Sequence, residues 1–287
     1  MVYYEKQLII NPINILKIEN KELRETLLAP DEPTPFAILN PDAIVPVLLV
    51  CDHASNRFPR SLGTMGLDYL DRVSHVALDI GASAVAEALA DNLGATTVLC
   101  QYSRLIVDCN RNLIDESAFL NYGDGVEIPG NHSLQNHEKE RRASEIYWPY
   151  HNAIKDQIVR LKKYGIDPVV ISIHSFTPVI NGEDRKWEIG VLWDKDSVTA
   201  EIFLTRLVEA GYLVGDNEPY SGKDPEDFTI DYHAESTGLP HVGIEISQNL
   251  INHDDGVKRV SDILKEIIST YTIPAKPKNI ETQKSLR

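Results

Sequence analysis

Short runs of apolar, largely β-branched residues alternate along this chain with longer segments whose apolar residues recur at helical spacing. The runs at 45–51, 96–100, 169–173 and 241–246 read as buried strands, because a strand covered on both faces shows no polar alternation. Residues 187–193 alternate and read as a further strand. Pro46 suits only the first residues of its strand, since it has no N–H to give to a ladder. The helical segments carry start and stop signals. Asp79 is a candidate N-cap for a helix over 79–94, with Gly94 as its stop. A long helical region over 136–164 ends at Gly165 and contains Pro149, which predicts a kink. A helix over 197–210 is closed by Gly211, and the last helix covers 255–271.

This alternation predicts an α/β fold: a single domain with a mostly parallel or mixed sheet and helices on both faces. The expected domain spans 36–273. Residues 1–35 are expected as an N-terminal extension with a short helix over 20–28, and 274–287 as a flexible tail. Pro30, Pro33, Pro35 and Pro41 impose extended or turn structure near the domain's start. The stretches 112–135 and 215–231, rich in turn residues, read as loops.

Several apolar runs deliver polar side chains at one end. The run at 169–173 ends on His174 and Ser175, with Pro178 preventing further pairing. The run at 45–51 ends on Asp52 and His53, with Asn56 three residues on. After 96–100 come Arg104, Asn110 and Arg111, and Glu245 sits inside the apolar run 241–246. Open α/β sheets place ligands at the carboxyl ends of their strands. Two histidines and an oxygen ligand there would make an open zinc site that activates water. A nearby carboxylate supplies a general base, and arginine forks suit a carboxylate substrate. Each residue also has a plain structural role open to it: a hydrogen-bonded core histidine, a salt-bridging arginine, a buried ion pair at Glu245.

Composition narrows the partners. The chain is 43% hydrophobic and 25% charged, with formal net charge −15 over 287 residues. Such a surface repels nucleic acid and anionic membrane, so neither is expected as a partner, and an acidic substrate needs a local basic pocket. Cys51, Cys100 and Cys109 all lie in or beside apolar runs without zinc-site spacing, as expected of buried thiols in a reducing compartment. No transmembrane run or signal peptide is evident, and the expected location is cytoplasmic.

An ordered set of motifs resembles the N-formylglutamate amidohydrolase family: Cys-Asp-His-Ala-Ser-Asn-Arg-Phe-Pro at 51–59, Leu-Asp-Ile-Gly-Ala at 78–82, Ser-Arg-Leu-Ile-Val-Asp-Cys-Asn-Arg-Asn at 103–112, Ser-Ile-His-Ser-Phe at 172–176 and Gly-Ile-Glu-Ile-Ser-Gln-Asn-Leu-Ile at 243–251. That family is similar in fold to zinc carboxypeptidases and aspartoacylases. The resemblance implies a Zn2+ or other divalent-metal enzyme cleaving a small anionic N-acyl amino acid, with N-formyl-L-glutamate giving formate and glutamate. It implies His53 and His174 as metal ligands and Glu245 as the base. It further implies Arg104 as the carbonyl-polarising group, with Asn110 and Arg111 binding the substrate carboxylate. Where the family pattern has a ligand Glu, this chain has Asn56, a poorer metal donor left to contact substrate. Asp79 then becomes the expected third ligand, with its helix-capping role as the alternative and Asp52 as a further donor. The Asn56 departure also leaves open a non-catalytic protein that binds an anionic metabolite. A serine or cysteine hydrolase has less support, because the chain lacks a Gly-x-Ser-x-Gly elbow. The sequence assigns no oligomeric state.

Overall fold

A computed structural model describes residues 26–180, 182–223 and 227–272. The tail and most of the expected extension, including 20–25 of its short helix, lie outside the described residues. From 26 onward the chain is irregular rather than helical. Leu27 is wholly buried, and the N–H groups of Leu27 and Leu28 each donate to the Glu145 carboxylate, at 2.9 and 3.0 Å.

Strands β1 (Phe36–Leu39) and β2 (Val47–Cys51) come first, then the short helix α1 (Tyr69–Arg72), α2 (Ala82–Leu93) and β3 (Thr96–Cys100). A small hairpin of β4 (Tyr122–Gly123) and β5 (Val126–Glu127) leads into α3 (Asn136–Arg142) and α4 (Trp148–Lys163). Next come β6 (Val169–Phe176), a second hairpin of β7 (Val179–Ile180) and β8 (Glu183–Asp184), and β9 (Ile189–Leu192). Helix α5 (Ser197–Glu209), β10 (Val214–Asp216), α6 (Phe228–His233), β11 (His241–Ser247), α7 (Gln248–Ile251) and α8 (Asp254–Thr272) complete the fold.

The main sheet has seven strands in the order β1-β3-β2-β6-β11-β9-β10. It is parallel from β3 through β11 and between β9 and β10, while β1 and the β9–β11 junction are antiparallel. The expectation of a mixed, mostly parallel sheet therefore holds. Side chains alternate across it into two cores. Leu48, Val50, Val98 and Val170 face α4 through Ile154 and Ile158. Leu49, Leu99, Ile171 and Ile244 face α2, α5 and α8 through Val85, Phe203 and Leu264. Burial on both faces is why β2, β6 and β11 read as unbroken apolar runs.

Three local features depart from the sequence expectations. Helix α2 starts at Ala82 and not at Asp79; its N-cap is Gly81, at φ 83°. A Cβ there would lie 2.5 Å from the Ile251 carbonyl oxygen, so only glycine fits the turn. The expected kink before Pro149 is a π-turn over Ala143–Tyr147, in which the Trp148 N–H donates to the Ala143 carbonyl. Pro149 has no N–H for the Glu145 carbonyl and its ring crowds that turn, which widens to compensate. The expected loop at 112–135 is compact, closed by the β4–β5 hairpin and by buried Asn131, whose amide donates to the Leu105 and Leu120 carbonyls. Gly94 and Gly211 end their helices at positive φ as expected.

Parallel register sets the site. Glu245 of β11 pairs with His174 of β6 and, on its other side, with Gly190 of β9. Val50 pairs with Ser172, which brings Asp52 level with His174 and His53, just past the end of β2, one residue beyond it. A Cβ at Gly190 would meet the Glu218 carbonyl at 2.2 Å and the Glu245 Cβ at 3.3 Å. Gly190→Ala is expected to displace the 217–221 loop and to cost on the order of 2 kcal/mol, as overpacking of a tight core does. Denaturant unfolding measures this, and an unchanged midpoint contradicts it.

Candidate metal centre

The carboxyl ends of β2, β6 and β11 and the turn before α2 converge on one buried cluster. His53, Asp79 and His174 are each at least 95% buried. Their candidate ligand atoms all lie within 4.8 Å of one another, and this is the metal-capable group found among the described residues. Both imidazoles aim Nδ1 at the same oxygen, Asp79 Oδ2, at 3.2 Å from His53 and 2.8 Å from His174. The other nitrogen of each ring faces a second carboxylate. His53 Nε2 lies 2.8 Å from Asp108 Oδ1, and His174 Nε2 lies 3.1 Å from Asp52 Oδ2. Two imidazoles, one shared carboxylate and an outer carboxylate on each ring make a donor set that suits Zn2+ or a similar divalent ion.

Asp79 is placed here by backbone contacts. Its N–H donates to the His53 carbonyl at 3.1 Å, and the Ser175 hydroxyl donates to the Ile80 carbonyl at 2.8 Å. The side chain faces the histidines and does not cap α2. The capping role that the sequence allowed for Asp79 falls to Gly81. Asp52 lies outside the metal-capable trio. Its Oδ2 faces His174, and Oδ1 accepts the Thr229 hydroxyl at 2.7 Å.

Arg104 is paired, which is the salt-bridging role the sequence left open to it. Its Nε and Nη2 donate to Asp108 Oδ2 at 3.0 and 2.6 Å, and Nη1 lies 3.5 Å from Asp79 Oδ1. Asn110 accepts the Thr229 N–H on its side-chain oxygen. The Arg111 carbonyl accepts the Tyr147 hydroxyl at 3.0 Å. Arg104, Asn110 and Arg111 all line a cavity of about 380 Å³ together with Glu245 and the trio. Asn56 is not among its lining residues. Its amide donates to the Arg72 carbonyl at 3.0 Å, which ties the loop to the end of α1.

Burial works against charge on all these groups, and their partners decide the outcome. At Asp79 burial is outweighed by His53 and by hydrogen bonds from both imidazoles, which hold the carboxyl below the usual range. At Asp108 burial is outweighed by Arg104 and His53. Burial disfavours the charged His174, but hydrogen bonds to Asp52 and Asp79 push it well above the ordinary histidine value. The pocket is thus organised to hold positive charge among three carboxylates. Glu245 differs. Burial pushes it up to about 7 against the pull of His174, and its Oε2 has no hydrogen-bond partner.

Asp108 and Asp227 escaped the sequence reading. Asp108 stands four residues after Arg104, and that spacing was its one visible signal. Asp227 lies in a segment read as loop, and it lines the cavity.

The N-formylglutamate amidohydrolase family model matches residues 45–252. A solved structure of a gene product from Agrobacterium tumefaciens is 37% identical, covers 85% of this chain and 97% of its own, and superposes with a TM-score of 0.83. An N-formylglutamate amidohydrolase from Ralstonia eutropha JMP134 is 17% identical with a TM-score of 0.62, covering 84% of this chain and 98% of its own, a likeness of fold. No curated protein sequence matches the chain.

If Asp79 Oδ2 is the third ligand atom, Asp79→Asn is expected to weaken zinc binding by at least about tenfold, since an amide is a poorer donor than a carboxylate. Asn56→Ala is expected to leave zinc affinity unchanged. Calorimetric titration of zinc into chelator-treated protein separates the two, and equal losses contradict the assignment.

Proposed function

Because the chain belongs to the N-formylglutamate amidohydrolase family, we propose that it is a metal-dependent hydrolase that cleaves the amide C–N bond of a small anionic N-acyl amino acid. N-formyl-L-glutamate, giving formate and glutamate, is the substrate that the family implies. The observation that carries this reading is the convergence of two imidazole Nδ1 atoms on one Asp79 oxygen, in the same cavity as Glu245.

Zinc or a similar ion held by His53, Asp79 and His174 would polarise the acyl carbonyl and acidify water. The remaining steps belong to the chain. Glu245 takes a proton from the attacking water, the new C–O bond forms, and Glu245 passes the proton to the leaving nitrogen as the C–N bond breaks. Its pKa near 7 and its unpartnered Oε2 suit both halves of that transfer. Arg104, kept in place by Asp108, presents its charge where negative charge develops on the carbonyl oxygen. Arg111 and Asn110 are the candidate anchor for the α-carboxylate, which a surface of net charge −15 would otherwise repel. Asp108, bonded to His53 Nε2, keeps that ring's orientation through the reaction, and Asp52 faces the second ring. The motive for a non-catalytic binding protein was the amide at position 56; Asp79 beside both histidines offers the carboxylate donor that Asn56 lacks and so supports the hydrolase reading.

Glu245→Gln keeps the shape and cannot accept the proton. Metal content is expected to stay the same while formate release falls about 10²-fold or more. Wild-type turnover in that variant would remove Glu245 from the mechanism. Arg111→Lys keeps the charge and loses the fork, with an expected cost of about 2 kcal/mol expressed mainly in KM. Equal rates on a formyl amino acid and on its α-amide would rule out the anchoring role.

A further inference from the structure

Asp227 lines the cavity, and the mechanism does not use it. It is 91% buried, being 9% exposed. It occupies the N-cap position of α6, yet its side chain makes no capping hydrogen bond. Its Oδ1 is buried with no partner at all. An acceptor in that condition costs free energy unless something meets it.

Its place beside β11 is marked by Gly243, where a Cβ would lie 3.6 Å from Asp227 Oδ2, an ordinary contact distance. Gly243 and Glu245 stand two residues apart on one strand and so share a sheet face. Asp227 therefore flanks the base on the side towards the start of β11. It lines the same cavity as the trio and Glu245.

The charges around it point the same way. Glu218 and Glu245 also line the cavity. Of the lining cations, Arg104 is bonded to Asp108 and lies beside Asp79, and Arg111 is the candidate anchor for one carboxylate. A second carboxylate on the substrate would meet Asp227 as a like charge, whereas an N–H or O–H would satisfy Oδ1.

We propose that Asp227 is a specificity-determining residue that accepts a hydrogen bond from the substrate side chain. This chain thereby selects N-acyl amino acids ending in a neutral donor, such as a carboxamide, over those ending in a second carboxylate. The inference rests on the amidohydrolase reading and refines its substrate.

The test compares formate release by zinc-loaded wild-type protein from N-formyl-L-glutamine, N-formyl-L-glutamate and N-formyl-L-methionine. The glutamine compound is expected to lead the glutamate compound by about tenfold or more in kcat/KM, mostly through KM, with methionine below glutamine because it offers no donor. Asp227→Asn keeps the shape and is expected to narrow or reverse the glutamine preference. A wild-type preference for glutamate, as a protonated and donating Asp227 would produce, overturns the proposal. So does an unchanged ratio in a folded Asp227→Asn protein. If no formate appears from any of the three, the amidohydrolase reading fails. Calorimetry with free L-glutamine and L-glutamate then decides on Asp227: tighter glutamine supports the proposal and tighter glutamate overturns it.

Discussion

One carboxylate oxygen, Asp79 Oδ2, organises this molecule. Both imidazoles point Nδ1 at it, and the Ser175 N–H lies 3.4 Å away. It thereby ties together the ends of β2 and β6 and the turn into α2. The turn itself depends on Gly81, where no larger residue fits against Ile251. A buried carboxylate is costly unless surrounded by donors. Here the donors are the same groups that a metal ion would bring together, so the constraint that stabilises the turn also builds the site.

The surrounding network holds that centre in place. Asp108 fixes His53 on one side and Arg104 on the other. Asp52 links His174 to Thr229 of α6. Thr229 in turn donates its N–H to Asn110. Two consecutive turns of the π-widened helix add anchors, with Tyr147 donating to the Arg111 carbonyl and His151 Nε2 lying 2.9 Å from the Cys109 carbonyl. The candidate metal ligands and Arg104 are thus each positioned by a neighbouring group, as positioned catalysis requires. Among the carboxylates that line the cavity, Glu245 Oε2 and Asp227 Oδ1 have no hydrogen-bond partner, and they are the atoms proposed to meet the substrate.

Much of the fold was legible because buried strands advertise themselves as apolar runs. β2, β6 and β11 sit where those runs lie, and the histidines at two of their ends are at the site. Glycine stops at Gly94 and Gly211 were equally plain, being matters of local backbone geometry. What stayed hidden were relations between distant residues. For Asp79 the sequence offered both a metal ligand and a helix cap, because capping is a local pattern, and the turn at Gly81 is what aims it inward. Asn56 matched a ligand position in the motif, but its loop turns the amide towards Arg72. Asp227 gave no signal, since its place in the cavity depends on contacts with distant elements. The helix α6 that carries it is too short for periodicity to reveal.

The account stands on a metal ion bound by His53, Asp79 and His174. Anomalous diffraction at the zinc edge from zinc-loaded crystals tests this most directly. The predicted result is one strong peak in the cavity, with His53 Nδ1, His174 Nδ1 and an Asp79 oxygen each about 2.0–2.2 Å away. A peak coordinated instead by Glu245 and Asp227, or no peak in protein that releases formate at full rate, would contradict it.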